Sequence, residues 1–311
     1  MDLDIYRISQ VIKDYGLGKF GELDSVHVRR WLDQFDDNHS VIAHETANIL
    51  EKYYIGESDF KRFSEALPVR LKTDFGENFT IMKAQEASKS QAFLINMIEN
   101  NNNIFKNKSL ITRNLLYIDD FIFSGQTLVS DFKKWFDLNP NIRNATVHII
   151  TIAKYNYNTD STLRFLEHRY KEKNIKFQSI AFAKYKMTDT FQLSSSSLSD
   201  STVSNYIHVN PTNSPKPRVR AGNLINNISN RDLYEIEMVK AGIKIIGFCE
   251  KPHSVMRPFG FGGYGLGFGG ALFSYRKCPN TTPLAFWWGN PNYPIQSHPF
   301  RKWYPLMQRS D

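Results

Sequence analysis

The sequence predicts an α/β fold in which a mostly parallel β-sheet carries helices on both faces. Three observations predict this fold class and the organisation of the rest of the chain. Short β-branched segments alternate with amphipathic helical segments between residues 79 and 183, which is typical of parallel strands joined by helical crossovers. Residues 1–75 show helical spacing alone, and glycines crowd residues 260–270 within an aromatic-rich terminal part. We therefore expect a helical N-terminal extension over residues 1–75, an α/β domain over residues 76–311 and an irregular C-terminal part.

The N-terminal extension divides into three predicted helices. Residues 31–35 form a short amphipathic segment, and apolar residues recur at helical spacing over residues 41–54. Ser58 is a suitable N-cap for the third helix. Pro68 is expected to end that helix, because proline lacks the N–H group that continues the hydrogen-bond pattern.

Strands and helices then alternate along the middle of the chain. The predicted strands are residues 79–83, 115–118, 145–153 and 175–183, and the predicted helices centre on residues 93–98, 128–136 and 161–173. Because the carboxyl ends of parallel strands share one edge of a sheet, we expect ligand-binding residues in the loops that follow these strands.

The last third of the chain begins with a break in this pattern. Serine-rich residues 193–204 and proline-rich residues 211–218 lie within a segment, residues 190–230, that we expect to be a mobile insertion. The elements predicted after it are a helix over residues 232–241 ended by Gly242, a buried strand over residues 243–248 and a strand over residues 271–276.

The composition is that of an ordinary globular protein, with 41% hydrophobic and 23% charged residues. No apolar stretch approaches the about 18 residues of a membrane span, and no basic segment followed by an apolar run opens the sequence. Cys249 and Cys278 lack the spacing of a zinc site and are too few for a disulfide framework. We therefore expect a cytoplasmic protein, and neither a membrane protein, a secreted disulfide-rich protein nor a zinc finger.

The net charge of +8 is concentrated in the C-terminal third. Residues 201–311 hold 13 Lys and Arg against 5 Asp and Glu, together with 16 aromatic residues. Cations neutralise phosphates and aromatic rings stack on bases, so this composition suits a nucleic-acid partner. A basic, aromatic-rich core edge without any ligand accounts for the composition equally well.

Residues 115–128 carry the strongest functional signal. Their strand runs into Asp119 and Asp120, then into two apolar residues and a small polar loop that opens a helix. Paired carboxylates at a strand end suit the hydroxyls of a ribose, or an indirectly held Mg²⁺. The loop presents backbone N–H groups at a helix N-terminus, where the helix dipole favours a phosphate. Its candidate phosphate-binding residues are Phe123, Ser124, Gly125, Gln126 and Thr127. The alternative is a solvated acid pair that caps the sheet edge.

A second candidate loop follows the strand predicted at residues 79–83. Ser88, Lys89 and Ser90 combine two hydroxyls with one cation, which are groups that bind a diphosphate. A capped helix start with a solvated lysine is the alternative.

The segment around the acid pair resembles the 5-phosphoribosyl-1-diphosphate (PRPP) motif of type I phosphoribosyltransferases. That motif has four apolar residues, two acids, two apolar residues, one variable residue and then Ser/Thr-Gly-x-Thr, all of which are met. The resemblance implies a type I phosphoribosyltransferase-like fold, PRPP or a related ribose phosphate as ligand, and Mg²⁺ held through the diphosphate with no direct protein ligand.

The same resemblance assigns roles to the candidate residues. It implies that Asp119 and Asp120 are the catalytic acids on the ribose hydroxyls and that residues 123–127 cradle the 5′-phosphate. Ser88, Lys89 and Ser90 resemble the diphosphate loop of the same fold. One position departs from the pattern: purine-salvage members often carry an aspartate where this chain has Phe123, which cannot transfer a proton.

Over residues 28–290 the chain resembles one branch of that fold, the PRTase-CE proteins. The matching elements are residues 31–35, Gln85 with residues 88–90, residues 119–125, residues 260–263, and the Pro-Asn-Thr-Thr-Pro-Leu run at residues 279–284 that leads to Trp287 and Trp288. Members of this branch are predicted effectors of bacterial conflict and anti-phage defence systems, retrons included. The resemblance implies partner proteins such as a reverse transcriptase, and a homodimer is a further expectation.

Two patterns of the C-terminal part are weaker. Residues 260–265 match Gly-x-Gly-x-x-Gly, but no strand directly precedes them and a strand follows, so a dinucleotide-binding interpretation fails. A mobile flap near the ligand and a plain flexible loop both stay open for this run. Trp287 and Trp288 either stack on a base or pack in the core.

Three functions stay open from the sequence. The first is an enzyme that performs glycosyl transfer or N-glycosidic bond chemistry at ribose C1. The second is a catalytically inactive sensor of PRPP or a nucleotide, which Phe123 favours. The third is a nucleic-acid-binding subunit of a defence complex, which the basic C-terminal third favours.

Overall fold

The computed structural model describes residues 1–87, 89–101, 112–123, 125–181, 186–187, 190–191, 193, 197–209, 229–262 and 265–309. These residues group into two compact units, one formed by Met1–Glu57 with Asp189–Asp311 and the other by Ser58–Thr188. This grouping does not test the domain boundary expected at residue 75, which stays a prediction.

The helices and strands alternate as follows. The helices are α1 (Asp2–Ile12), α2 (Ser25–Leu32), α3 (His39–Tyr53), α4 (Glu57–Phe75), α5 (Ser90–Asn101), α6 (Gln126–Leu138), α7 (Asn156–Arg169), α8 (Ser201–Val209), α9 (Arg231–Gly247) and α10 (Leu284–Trp287). The strands are β1 (Tyr54–Ile55), β2 (Thr80–Ile81), β3 (Asn114–Ile122), β4 (Ala145–Tyr155), β5 (Ile175–Ala181), β6 (Lys186–Met187) and β7 (Phe273–Ser274). Within the described residues, none of the helices has the length and apolar character needed to cross a membrane.

A parallel sheet forms the centre of the unit Ser58–Thr188. Its strand order is β2-β3-β4-β5, with β6 beside the end of β4, and every pair that the structure describes is parallel. Residues of β3 and β4 are buried along most of both strands, which explains their nearly continuous apolar sequence. The predicted α/β fold with a parallel sheet and flanking helices is confirmed.

One face of this sheet packs against α6 and α7. Leu115 and Tyr117 are two positions apart on β3, so both side chains lie on that face. The ring of Tyr117 meets Phe132 of α6 edge-on at a centroid distance of 5.0 Å. Asp119 follows at the next position with the same orientation, directly opposite Thr151 of β4. The strand therefore brings its first acid to the end of an aromatic core.

The unit formed by Met1–Glu57 and Asp189–Asp311 has its own aromatic core. Trp31 and Trp303 both donate their indole N–H groups to the Ala285 carbonyl, at 2.8 and 3.0 Å. Strands β1 and β7 pair in the same unit. Residues that are far apart in the sequence therefore share one core.

Four described glycines of residues 260–270 have close backbone neighbours: Gly260, Gly262, Gly267 and Gly269. The Phe261 N–H donates to the Asn280 carbonyl at 2.7 Å, so the run lies against the Pro-Asn-Thr-Thr-Pro element. Gly260 has a φ of +94°, and a Cβ at this position would collide with the Thr282 carbonyl oxygen. Close packing accounts for glycine at this position. Within the run, residues 263 and 264 lie outside the described part of the chain.

Three predictions about element ends are wrong. Ser58 is not an N-cap, because α4 begins at Glu57. Residues 243–248 are not a strand, because α9 continues through Gly242 to Gly247. The missing side chain of Gly242 lets the helix approach Pro258 closely, so a helix contact rather than a helix end explains this glycine. Pro68 does not end its helix either. It lies among the buried residues of α4, whose apolar burial offsets the lost backbone hydrogen bond.

Other elements differ from prediction in their extent. The strand predicted at residues 115–118 continues to Ile122 and therefore contains both acids, whereas the strand predicted at residues 271–276 shrinks to the two residues of β7. Within the expected insertion at residues 190–230, α8 occupies Ser201–Val209, while residues 192, 194–196 and 210–228 lie outside the described residues. The mobility expected for that segment stays a prediction.

Candidate functional site

The candidate site lies at the carboxyl end of β3. Asp119 and Asp120 follow the buried apolar residues 115–118 of the strand, and two further apolar residues end it. Asp119 is only 5% exposed, whereas Asp120 is half-buried. Since successive residues of a strand point to opposite sides, the two carboxylates meet different surroundings.

The Asp119 carboxylate has four hydrogen-bonding neighbours. Its Oδ1 accepts from Ser90 Oγ at 2.7 Å and from the Asp120 N–H at 2.9 Å. Its Oδ2 accepts from Gln85 Nε2 at 3.0 Å and lies 2.9 Å from Tyr117 Oη. Because an ionised carboxylate offers about four acceptor sites, these neighbours fill its capacity.

A second buried carboxylate, Asp131 of α6, shares two of these neighbours. Its side chain is 6% exposed, and its Oδ2 lies 2.7 Å from Tyr117 Oη and 2.8 Å from Gln85 Nε2. The single hydroxyl proton of Tyr117 can serve one carboxylate at a time. Gln85 offers two N–H protons to three oxygens, those of Asp119, Asp131 and Tyr117. A proton on one carboxyl group completes this set of hydrogen bonds.

The electrostatics of the site agree with a shared proton. Burial, followed by the neighbouring charge of Asp120, raises the pKa of Asp119 to about 7, against the opposing hydrogen bonds from Ser90 and Tyr117. Burial also raises the pKa of Asp131, although Tyr117 and Gln85 donate to it. The network of Asp119, Asp131, Tyr117 and Gln85 therefore favours one protonated carboxyl group at slightly acidic pH.

Two glutamines close the loop between β2 and α5. Gln91 Oε1 accepts from the N–H groups of Ala84 and Gln85, at 2.7 and 3.1 Å. Gln85 Oε1 accepts in return from the Gln91 N–H at 3.1 Å. Because Ser90 and Gln85 also donate to Asp119, this loop is bound to β3 at its middle and where α5 begins.

Of the three residues predicted to bind a diphosphate, the structure describes two, and their surroundings differ. Lys89 is exposed. The Ser90 hydroxyl donates to Asp119, so it is engaged within the protein. Ser88 lies outside the described residues.

Gly125 caps α6 at the end of the loop that follows β3. Its φ of +79° lies in the left-handed region, and a Cβ there would collide with the hydroxyl of Thr162, a buried residue of α7. Glycine also has no side chain that could accept hydrogen bonds from the first turn of α6. The N–H groups of that turn carry the positive end of the helix dipole, which is the arrangement that binds anions at helix starts.

Three other residues of the predicted phosphate loop, Phe123, Gln126 and Thr127, are described beside this helix start. Gln126 and Thr127 are exposed in the first turn of α6. Phe123 is half-buried, and its ring centroid lies 5.7 Å from that of Tyr155. Ser124 lies outside the described residues.

Comparison with models of known protein families identifies the family to which the chain belongs. The family model named PRTase-CE matches residues 28–309, which include the acid pair, both loops and the C-terminal aromatic part. The chain belongs to the PRTase-CE family. No curated protein and no solved structure matches it. The resemblance that the sequence motifs indicated is therefore confirmed at the level of the family.

The sequence motifs did not identify the partners of the PRTase-CE acid pair. Gln85 stood out as a family resemblance only, and Tyr117, Asp131 and Gln91 were missed. A signal existed for Asp131, because it precedes the buried Phe132 on the apolar side of an amphipathic helix, where an acid requires hydrogen-bond donors.

Trp287 and Trp288 of this PRTase-CE chain are buried. Trp287 donates its indole N–H to the Thr282 carbonyl at 2.9 Å and meets the ring of Phe261 at 5.5 Å. Trp288 meets Phe300 edge-on at 4.9 Å. These contacts correspond to the core-packing alternative, and stacking on a base stays a prediction.

Part of the basic charge of residues 201–311 is paired within its own unit. Lys240 lies 3.2 Å from Asp200, and Lys244 lies 2.9 Å from Asp36. Three further basic residues, Lys216, Arg218 and Arg220, lie outside the described residues. A nucleic-acid partner stays a prediction.

In the part of the chain that the structure describes, the side chains of metal-ligating type do not cluster. No three His, Cys, Asp or Glu side chains of that part come together in a group that could hold a metal ion. Cys249 is half-buried and Cys278 is buried, and both are free thiols.

Proposed function

We propose that this PRTase-CE protein binds PRPP, or a related ribose phosphate or nucleotide, and acts at ribose C1. The observation that carries the proposal is the end of β3, where the acid pair is followed by a glycine-capped helix start. Membership of the PRTase-CE family supports the same ligand class.

The proposed pose follows the chemistry of the loop residues. The 5′-phosphate lies at the amino end of α6, where Gly125 lets the backbone approach an anion. The ribose hydroxyls lie at the acid pair, which offers carboxylate acceptors. Phe123, Gln126 and Thr127 surround the phosphate, together with Ser124, which the structure does not describe.

The diphosphate lies at the loop between β2 and α5 in this pose. Lys89 is exposed there and supplies a cation, and Ser88 and Ser90 are the other residues proposed for this loop. Mg²⁺ is proposed to be held through the diphosphate oxygens. This ion prefers substrate phosphates and water to an all-protein cage.

The proposed reaction is substitution at C1. The C1–O bond to the diphosphate breaks, and the diphosphate leaves with the electron pair. An acceptor then forms a bond to C1 and loses its proton to solvent or to a base that the acceptor itself carries. Phe123 has no acidic proton, so the proposed catalysis rests on positioning and charge stabilisation.

The sensor function is a second candidate, and Phe123 is the observation that favours it. A protein that binds PRPP without transferring its ribosyl group needs no proton donor beside the leaving group. Analysis of the products formed from PRPP separates the two functions, because the enzyme releases diphosphate and the sensor does not.

A thermal-shift titration with PRPP and Mg²⁺ tests the binding proposal. A ligand at 100 times its dissociation constant adds about 2.7 kcal/mol to the free energy of unfolding. We expect a rise in melting temperature for the wild type and none for Asp120→Asn. Asp137→Asn, which changes an exposed acid of α6, is the control and should respond like the wild type. The absence of any shift in the wild type contradicts the proposal.

We further propose a role in anti-phage defence beside a partner such as a reverse transcriptase, on the family resemblance alone. If the β3 site serves this role, Asp120→Asn abolishes protection in a phage plaque assay, while Asp137→Asn protects fully. Equal protection by both variants contradicts a defence role that depends on the site.

A further inference from the structure

We propose that Asp119 is a positioning residue that fixes the diphosphate loop to β3, and that Asp120 is the acid that meets the ribose. This inference rests on the proposed function and assigns a different role to each acid of the pair. It concerns the loop between β2 and α5, here called the diphosphate loop, of which the structure describes residues 82–87 and 89.

The acceptor capacity of Asp119 is the first argument. Its oxygens already serve Ser90, the Asp120 N–H and Gln85, and Oδ2 also contacts Tyr117 Oη. Two ribose hydroxyls would have to displace donors that lie at 2.7 to 3.0 Å. At 5% exposure, the carboxylate also lies below the surface that a sugar reaches. Asp120 is half-buried and therefore closer to solvent.

The identity of the donors is the second argument. Gln85 lies in the middle of the diphosphate loop and Ser90 follows the loop as the first residue of α5, so Asp119 binds the loop at its middle and at its end. The reciprocal hydrogen bonds between Gln85 and Gln91 close the base of the same loop. A displacement of Asp119 therefore moves the loop and the exposed Lys89 that it carries.

Asp131 and Tyr117 hold the same junction from α6 and β3. Gln85 Nε2 reaches Asp131 at 2.8 Å as well as Asp119, and Tyr117 Oη lies between the two carboxylates. An asparagine at position 119 keeps one oxygen for Ser90 and offers an N–H to Tyr117, but its amide nitrogen cannot accept the hydrogen bond from Gln85. Alanine removes both functions.

The test compares two ligands that differ in the diphosphate. Dissociation constants for PRPP with Mg²⁺ and for ribose 5-phosphate are measured calorimetrically for wild type, Asp119→Asn, Asp119→Ala, Ser90→Ala and Asp120→Asn. We expect Asp119→Ala to weaken PRPP binding about tenfold or more and ribose 5-phosphate binding by less than about threefold. Ser90→Ala, which removes one donor only, should follow the same pattern with a smaller effect. Asp119→Asn keeps the Ser90 contact but not the Gln85 contact, so it should lose less PRPP affinity than Asp119→Ala, whereas Asp120→Asn should weaken the binding of both ligands.

If Asp119 had a merely structural role, Asp119→Ala would weaken the binding of both ligands alike. An unchanged ratio of the PRPP and ribose 5-phosphate dissociation constants in this variant therefore overturns the inference. Equal losses of ribose 5-phosphate affinity in Asp119→Asn and Asp120→Asn overturn the inference too, because they indicate that both acids bind the ribose. If the wild type binds neither ligand, the proposed function fails, and the ligand half of the inference fails with it.

Hydrogen exchange of the unliganded protein judges the loop half separately. Ser90→Ala and Asp119→Ala should speed exchange at the Ala84, Gln85 and Gln91 amides, which the glutamine pair protects. Unchanged exchange at these amides overturns the positioning role, whether or not PRPP binds.

Discussion

Adjacent residues of β3 carry the same functional group in different surroundings. The Asp119 carboxylate is buried among donors from Ser90, Gln85 and its own backbone neighbour, whereas Asp120 is half-buried. Burial makes the charge of Asp119 costly, and its hydrogen bonds only partly offset that cost. Its protonation state therefore affects the stability of the fold.

The stability of the protein should depend on pH through Asp119. The folded protein keeps the proton of this carboxyl up to a pKa of about 7, whereas the unfolded chain loses it near its ordinary value of 3.8. The folded state therefore binds more protons between these values, and this group's contribution to the free energy of unfolding falls as the pH rises through that window. The slope is at most about 1.4 kcal/mol per pH unit.

Urea unfolding at pH 5, 6, 7 and 8 measures this effect as the difference between wild type and Asp119→Asn. The difference should fall with rising pH and level off above pH 7, because asparagine does not titrate. Asp137→Asn, in an exposed pair with Lys133, should run parallel to the wild type over the same range. A constant difference between wild type and Asp119→Asn would contradict the raised pKa.

Gly125 offers a second test at the scale of one residue. Gly125→Ala forces a side chain into the left-handed region and into the Thr162 hydroxyl, so we expect a loss of at least about 2 kcal/mol of stability. Gly76 has a φ of +58° with open space around it, so Gly76→Ala should cost about 1 kcal/mol, for backbone strain alone. Chemical denaturation compares the two variants, and equal losses would show that the contact with Thr162 does not matter.

The sequence predicts the acids and the glycine of this site but not the groups that hold them. The order of residues 115–128 is local, and it follows directly from a strand, a turn and a helix start. Gln85 and Asp131 stand 46 positions apart, and only the pairing of β2 with β3 and the packing of α6 bring them together. No periodicity within a single segment contains that information.

At the scale of elements, tertiary contacts overrule local preferences. The sequence of residues 243–248 is apolar and β-branched, yet these residues continue α9 instead of forming a strand. Gly242 resembles a helix end locally, but it serves the close approach of Pro258. The alternating strands and helices of residues 79–181 were predictable, because their periodicities are strong and each element is long enough to show one.

Glycines of this chain should tolerate substitution by alanine only where there is space for a Cβ atom. Gly260→Ala places a Cβ against the Thr282 carbonyl at a φ of +94°, so we expect more than about 2 kcal/mol of destabilisation. Gly247 ends α9, and a Cβ added there would meet nothing within 4 Å beyond its chain neighbours and its own helix backbone, so Gly247→Ala should be neutral or stabilise by up to about 1 kcal/mol. Urea midpoints measure both, and a neutral Gly260→Ala would indicate a loose loop.

At the scale of the whole molecule, one compact unit joins Met1–Glu57 to Asp189–Asp311. The fold class was predictable from the pattern of elements, but this grouping was not. It depends on contacts such as the one from Trp31 to the Ala285 carbonyl, which lie 254 positions apart. Hydrophobic patterning shows which face of a helix is buried, not which distant segment covers it.

Removal of one such contact should destabilise the unit strongly. Trp31 is fully buried, so Trp31→Ala leaves a large cavity and removes one donor from the Ala285 carbonyl, at an expected cost of about 3–5 kcal/mol. Val26 on the same helix is 72% exposed, and Val26→Ala should change stability by less than about 0.5 kcal/mol. Denaturant unfolding compares the two, and a small effect of Trp31→Ala would contradict the shared core.

The location of the ligand is the central claim, and hydrogen exchange with and without PRPP and Mg²⁺ tests it most directly. We predict slower exchange in residues 119–128 and residues 84–91, and little change elsewhere in the PRTase-CE chain. The same protection should be absent in Asp120→Asn at equal ligand concentration. Protection confined to other segments, or no protection at saturating PRPP, would contradict a phosphoribosyl site at the end of β3.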